Sequence, residues 1–171
     1  VIPADCRYAG AIRDVIAWHR QHQDWQSAWE QLDKKYGFDP DGTRGNKFAE
    51  EQYNTGKGPY QWGNWRWVYA DVNGAACVLA MLYGRGDFSK SICLAAMIGY
   101  DNDCNSGTVG AILGTMHGYK AIPEQWKKPL NDTYQTSLNM AERRLKISEL
   151  SKETAVYGRQ LIEACRGKRS L

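Results

Sequence analysis

The chain has 171 residues, of which 43% are hydrophobic and 24% charged, a composition typical of one soluble globular domain large enough to bury a core. No apolar run approaches the length that crosses a bilayer, so we expect no membrane partner. The net charge of +3 lies largely in the tail Arg166-Gly167-Lys168-Arg169, which favours a solvated tail over a nucleic-acid partner.

Cysteine usage argues against two kinds of site. The five cysteines are odd in number and include no Cys-x-x-Cys, so we expect neither a structural zinc site nor a disulfide framework. Cys77 and Cys93 lie in apolar helical runs and are predicted to act as small core residues. This usage favours a reducing compartment, such as the cytoplasm.

The first predicted elements are two helices. Asp5 is predicted to cap a helix that runs to Arg20. A second helix is predicted over Gln23 to Tyr36, ended by Gly37.

Residues 38–66 are rich in turn formers, and we expect a long loop there. Four side chains match positions 1, 3, 5 and 12 of a calcium-binding loop, but Arg44 replaces the glycine required at position 6. A solvated loop is therefore favoured over a calcium module. The nearby aromatic residues favour a satellite core over a stacking wall for a nucleobase. The residues concerned are Asp39, Asp41, Thr43 and Glu50 for calcium, and Tyr60, Trp62, Trp65 and Trp67 for stacking.

Two buried helices follow, over 70–83 and 87–98, joined at Gly84-Arg85-Gly86, and Asp87 is predicted to cap the second. Asn73 lies within the first of them. Two interpretations of its amide stand: it hydrogen-bonds within the core, or it faces a binding cleft.

The next predicted helix begins near residue 101 and carries a stripe of small residues, Gly107, Ala111, Gly114 and Gly118. Glycine within a helix costs ~1 kcal/mol relative to alanine, so the stripe predicts a central helix against which another backbone packs closely. His117 near its end is predicted to be a dipole partner or core histidine and not a ligand. A polar linker begins at Asn131, and one or two helices are predicted over Leu138 to Cys165. Residues 131–171 are therefore predicted to form a C-terminal helical segment. The whole chain, 1–171, is predicted to be a single all-α domain.

Asp101 and Asp103 bring two carboxylates together at the start of that small-residue helix. One interpretation is a plain N-cap, because Asp and Asn are preferred there. The other is a metal loop, because two neighbouring anions repel each other unless a cation lies between them. Hard cations such as Mg²⁺, Mn²⁺ or Ca²⁺ take oxygen ligands. An EF-hand is excluded, because Ser106 stands where that loop needs glycine and Ile112 where it needs glutamate.

An ordered series of segments accompanies this pair: Ile2-Pro3-Ala4-Asp5, Asn73-Gly74-Ala75-Ala76, Leu82-Tyr83-Gly84-Arg85-Gly86-Asp87-Phe88, Gly99-Tyr100-Asp101-Asn102-Asp103, His117-Gly118-Tyr119 and Ile122-Pro123-Glu124-Gln125-Trp126. The series resembles the ADP-ribosylglycohydrolase family over residues 1–130, most strongly over 73–126. The resemblance implies an all-α fold, a multi-helix orthogonal bundle with one or two divalent ions at the bottom of a cleft.

The resemblance also implies site residues. Asp101 and Asp103 carry over as metal ligands, and Cys104 stands where the family usually has Thr or Ser. A thiol is a poor ligand for a hard cation. That ligand is therefore lost, or a water or Asn105 replaces it. The substrate pocket would be lined by Gly99, Tyr100, Asn105 and, with the cleft-facing orientation, Asn73.

The implied reaction is hydrolysis of the N- or O-glycosidic bond between C1″ of ADP-ribose and an acceptor, on an ADP-ribosylated protein or a small ADP-ribosyl substrate. The sequence has no adjacent Asp-Asp pair and begins at Val1. We therefore expect a chain that corresponds to the C-terminal half of a family member and holds about half of the metal site. The acid/base residue would lie in a missing N-terminal half, supplied as a separate chain. The alternative is a non-catalytic member that binds a nucleotide-like ligand or is structural, which Cys104 favours.

Overall fold

The computed structural model describes residues 2–37, 68–136 and 144–166. The described residues are mostly helical, in seven α-helices, which confirms the predicted all-α class. None of these helices has the length and apolar character needed to cross a membrane. The chain divides into two compact units, residues 1–121 and 122–171. The predicted loop over 38–66, with its candidate calcium ligands and aromatic cluster, lies outside the described residues.

The first unit begins with helices α1 (Arg7–Gln21) and α2 (Trp25–Tyr36), which end near their predicted positions. The predicted Asp5 cap is wrong by one residue: Cys6 is the N-cap, and its sulfur accepts a hydrogen bond from the backbone N–H of Ala9 at 3.4 Å. Sulfur is a weak acceptor, so composition alone did not favour it. Asp24 caps α2, because its carboxylate accepts from the N–H of Ser27 at 2.8 Å.

Helix α3 (Ala70–Gly84) is the centre of this unit, since nine of its 15 residues are buried and it packs against α1 and α2 and against the two helices that follow. It is apolar on nearly every side, as a fully surrounded helix must be. Burial of a side chain such as Leu79, which is 0% exposed, stabilises the fold by about 1.5–3 kcal/mol. Helix α4 (Phe88–Ile98) begins at the predicted cap, where Asp87 accepts from the N–H of Lys90 at 2.6 Å.

Helix α5 (Asn102–His117) follows α4, and the prediction that it is the central helix is wrong for the described residues. Its buried residues are Asn105, Val109 and Leu113. Within the described part of the chain, two positions of the small-residue side lack close packing: Ala111 is exposed, and a Cβ added at Gly107 would meet no atom within 4 Å. The spacing identified a helical face, but not which side of the helix meets the core.

Close backbone approach is found in α3 instead. A Cβ added at Gly74 would lie 2.5 Å from the ring of Tyr8, so glycine lets this aromatic side chain of α1 lie against the backbone of α3. A Cβ at Gly84 would lie 1.9 Å from the hydroxyl oxygen of Ser91, which allows α4 to pack tightly after the turn. Of the two cysteines predicted in the core, Cys77 is buried, whereas Cys93 is exposed on α4 and that prediction is wrong.

The second unit contains a short helix α6 (Glu124–Lys127), a two-stranded antiparallel sheet and helix α7 (Ile147–Arg166). Strand β1 (Thr133–Gln135) pairs with β2 (Arg144–Lys146), so that Tyr134 faces Leu145. The helix predicted from Leu138 is therefore wrong over 144–146, because these residues form a ladder with β1. Helix α7 starts where Asp132 accepts hydrogen bonds from the N–H and hydroxyl of Ser148, at 2.8 and 2.6 Å; these bonds lower the pKa of Asp132.

Candidate functional site

The two carboxylates singled out in the sequence lie together at the start of α5. Asp101 occupies the N-cap position, Asp103 lies in the first turn, and Cys104 follows. One ligand atom from each of the three side chains lies within 4.8 Å of the other two. Asp101 is half-buried, and the other two are exposed. These residues form the only such group of three His, Cys, Asp or Glu side chains among the residues that the structure describes.

Asp101 does not act as a conventional cap. Its side chain makes no capping hydrogen bond to the backbone of α5, although Asp at this position usually does. The hydrogen bond between Asp101 and the Cys104 thiol, together with the charges of Asp101 and Asp103, raises the pKa of Cys104. The thiol is therefore protonated at neutral pH and is a poor ligand for a hard cation, whereas the two carboxylates fit one. Because α5 begins at Asn102, residues 102–112 are helical and exclude a calcium loop of EF-hand type.

The backbone just before the carboxylates adopts an unusual conformation. Gly99 and Tyr100 both have positive φ angles, 85° and 60°. Glycine adopts such angles readily, but a tyrosine in this region costs about 1–3 kcal/mol and persists only where neighbouring groups hold it. A Cβ at Gly99 would meet no atom within 4 Å, so the angle and not the space requires glycine there.

Tyr100 is held by its phenol. Its hydroxyl donates a hydrogen bond to the Asp33 carboxylate on α2 at 2.9 Å, and the ring packs against the hydrophobic core. Burial raises the pKa of Tyr100, and the bond to Asp33 acts in the same direction, so the phenol is neutral. The predicted pocket residue Tyr100 therefore directs its side chain toward α2, and it anchors the loop from one side.

Asn73 anchors the loop from the other side. Its side-chain oxygen accepts hydrogen bonds from the backbone N–H of Asp101 at 3.1 Å and from the side-chain amide of Asn105 at 2.7 Å. Its own amide donates to the carbonyl of Tyr69 at 3.0 Å. The structure shows the predicted hydrogen bonding within the fold, to the backbone of the candidate site, and a role of Asn73 in a binding cleft stays a prediction. Asn73 thus fixes the position of Asp101 relative to α3.

Asn105 lies beneath the loop and is 3% exposed. Its side chain donates to Asn73, and its oxygen lies 3.5 Å from the Cys77 sulfur, which donates to it. Burial raises the pKa of Cys77 to about 11, so this thiol is a neutral donor. The described contacts of Asn105 thus connect α5 to α3. His117 lies at the exposed end of α5, where its Nε2 is 3.1 Å from the carbonyl oxygen of Gly86.

Two residues that support the loop were missed from the sequence. Asp33 lies 67 positions before Tyr100 and carries no local signal that links it to the loop. Cys77 was predicted in the core, and the buried position is correct, but its bond to Asn105 was not predicted. In contrast, the approach of the Asp101 and Asp103 carboxylates was predicted, because the two residues are only two positions apart in the sequence.

Comparison with known proteins gives one match. A family model described as ADP-ribosylglycohydrolase matches residues 4–157, which include helices α1 to α5 and the candidate loop. No curated protein and no solved structure gives a significant match.

Proposed function

Because the chain belongs to the ADP-ribosylglycohydrolase family, we propose that it acts in the metal-dependent hydrolysis of an N- or O-glycosidic bond to ADP-ribose. The observation that carries the proposal is the approach of the Asp101 and Asp103 carboxylates on a loop anchored from two sides. The substrate is an ADP-ribosylated protein or a small ADP-ribosyl compound, cleaved at C1″ of the ADP-ribose.

Asp101 and Asp103 would hold one or two divalent ions, Mg²⁺, Mn²⁺ or Ca²⁺, since carboxylate oxygens suit hard cations. When bound, such an ion orients the distal ribose hydroxyls and lowers the pKa of a water molecule. The raised pKa of Cys104 keeps its thiol protonated, and Asn105 is engaged with Asn73 and Cys77, so we infer that water would take the ligand position that Thr or Ser takes in the family. Gly99 leaves space beside the loop for a ligand to approach the backbone.

We also propose that this chain supplies about half of the metal site and that a companion polypeptide supplies the rest. Among the described residues, two carboxylates and a protonated thiol provide few of the six or more oxygen ligands that Mg²⁺ or Ca²⁺ requires. The acid/base residue would then lie on the companion. Native mass spectrometry of the purified protein tests this point. A companion chain and a divalent ion in one complex would support it, and a bare 19.4 kDa monomer that releases ADP-ribose by itself would contradict it.

Calorimetric titration of Mn²⁺ into the full chain tests the metal ligands. The Asp101→Asn variant keeps the size of the side chain but removes a charge, and we expect it to weaken Mn²⁺ binding by more than about tenfold. Asp5→Asn is the matched control, because Asp5 is exposed and lies before α1, outside the loop. Equal Mn²⁺ affinities in Asp101→Asn and Asp5→Asn would show that the loop holds no metal.

A second candidate is a non-catalytic member of the same fold that binds a nucleotide-like ligand or is structural. Cys104 favours it, since a protonated thiol replaces an oxygen ligand. Release of ADP-ribose by the complete protein discriminates between the two functions. Metal-dependent release that is lost in Asp101→Asn supports the hydrolase, whereas binding of ADP-ribose without turnover supports the second candidate.

A further inference from the structure

A cavity of about 570 Å³ lies in the first unit at the end of α3 opposite the candidate loop. It is lined by the last turn of α1, the residues that lead into α2, and the turn after α3. Asn73 and Arg85 are 12 residues apart, which corresponds to about 18 Å along the helix axis. The cavity is therefore separate from the carboxylates at the start of α5, and its contents do not depend on the proposed hydrolysis.

The lining is strongly basic. Arg20 and Arg85 contribute two permanent positive charges, and His19 and His22 add nitrogen donors. Neither arginine forms an ion pair with another described residue. Asp24 interacts electrostatically with His22. Its carboxylate, however, already accepts hydrogen bonds from the N–H and the hydroxyl of Ser27. Counting the described residues, two guanidinium groups against one carboxylate give the cavity a net positive charge.

The cavity walls are fixed by contacts between the helices. The Tyr83 hydroxyl donates to the backbone carbonyl of His22 at 2.8 Å and joins the ends of α1 and α3. The rings of His19 and Tyr83 meet edge to face, with centroids 4.7 Å apart. Arg85 has a φ of 54°, which ends α3 and turns the chain at the cavity wall. The backbone positions of the basic side chains are thus set before any ligand binds.

We propose that this cavity binds a phosphate group, carried by a small organic phosphate monoester or present as inorganic phosphate. The guanidinium groups of Arg20 and Arg85 have the planar, forked geometry that matches phosphate oxygens. The volume exceeds that of phosphate alone and suits a small ligand, with the Tyr83 ring as an apolar part of the wall. Basic residues also balance the negative end of a helix dipole, and the test separates that role from ligand binding.

The test is calorimetric titration of inorganic phosphate, and separately of ribose 5-phosphate, into the full chain at fixed ionic strength with a chelator present. We expect saturable binding that is weakened about tenfold or more in Arg20→Gln and in Arg85→Gln, as loss of a charged hydrogen bond implies. Arg13→Gln on α1 is the control, because it removes the same charge outside the cavity lining. Asp101→Asn should bind phosphate unchanged.

The two ligands distinguish the sources. Tighter binding of ribose 5-phosphate assigns an organic monoester to the cavity, and equal or weaker binding assigns inorganic phosphate; either result supports a phosphate site. Absence of saturable binding for both ligands would overturn the proposal, as would a loss in Arg13→Gln equal to that in the two cavity variants. In those cases the role of Arg20 and Arg85 is to balance the negative dipole at the C-terminal ends of α1 and α3.

Discussion

Replacement of Asn73 by alanine tests whether one side chain holds the candidate loop to α3. The change removes the oxygen that accepts from the N–H of Asp101 and from the Asn105 amide. Each lost hydrogen bond costs about 0.5–1.5 kcal/mol, and a buried amide left without an acceptor costs about 1–3 kcal/mol. Because Asn105 is 3% exposed, water does not readily replace the lost oxygen. We expect a total loss of about 2–4 kcal/mol in the free energy of unfolding.

Urea unfolding followed by circular dichroism measures this loss. With a urea dependence of about 2 kcal/mol per molar, the midpoint should fall by about 1–2 M. Asn102→Ala is the matched control, since Asn102 is exposed in the first turn of α5, and we expect a change within about 0.5 kcal/mol. Equal stabilities of the Asn73→Ala and Asn102→Ala variants would refute the reasoning.

The double variant Asn73→Ala with Asn105→Ala gives a sharper test of the same contact. The two side chains share a hydrogen bond of 2.7 Å, so the double variant should lose less stability than the sum of the single variants, by about 1 kcal/mol. Additive losses within about 0.3 kcal/mol would show that each asparagine acts alone.

Two further predictions concern packing and reactivity in the first unit. Gly84→Ala should lower the free energy of unfolding by about 1–3 kcal/mol, because its Cβ would lie 1.9 Å from the Ser91 hydroxyl oxygen and 2.9 Å from the Ser91 Cα, which is backbone and cannot easily move. Gly107→Ala should raise the free energy of unfolding by about 0.5–1 kcal/mol, because its Cβ meets no atom within 4 Å. Thermal unfolding of the two variants distinguishes these signs, and a stabilising Gly84→Ala would contradict the close packing of α3 and α4. Burial raises the pKa of Cys77 to about 11, so at pH 8 iodoacetamide should modify the exposed Cys93 about tenfold faster than it modifies Cys77. Mass spectrometry of the digested protein measures both rates, and equal rates for the two cysteines would contradict this prediction.

Local signals in the sequence predicted most of the first unit. Asp87 and Gly37 were identified as helix boundaries because capping acts over a few residues and depends on side-chain type. The approach of the Asp101 and Asp103 carboxylates was also predictable from local sequence, because both residues lie at the start of one helix. The family resemblance extended this local information to the fold class, which the structure and the family match confirm.

Contacts between distant residues could not be predicted in this way. Asp33 supports Tyr100 from 67 residues away, and Asp132 caps a helix 16 residues further along the chain. The small-residue face of α5 was placed in the centre because glycine spacing indicates a face without showing what lies against it. The strand over 144–146 was predicted as helix, because an alternation of polar and apolar side chains over only three residues is too short to indicate a strand.

The positive φ angles of Gly99 and Tyr100 have a consequence for how the neighbouring carboxylates meet a ligand. The unfavourable conformation of Tyr100 is compensated when the chain folds, through the phenol bond to Asp33 and the Asn73 contact with the next residue. The loop is therefore preorganised, and a ligand that binds there loses little free energy to ordering the backbone. Binding at this loop should then depend on the match between ligand and carboxylates, with little rearrangement of the chain.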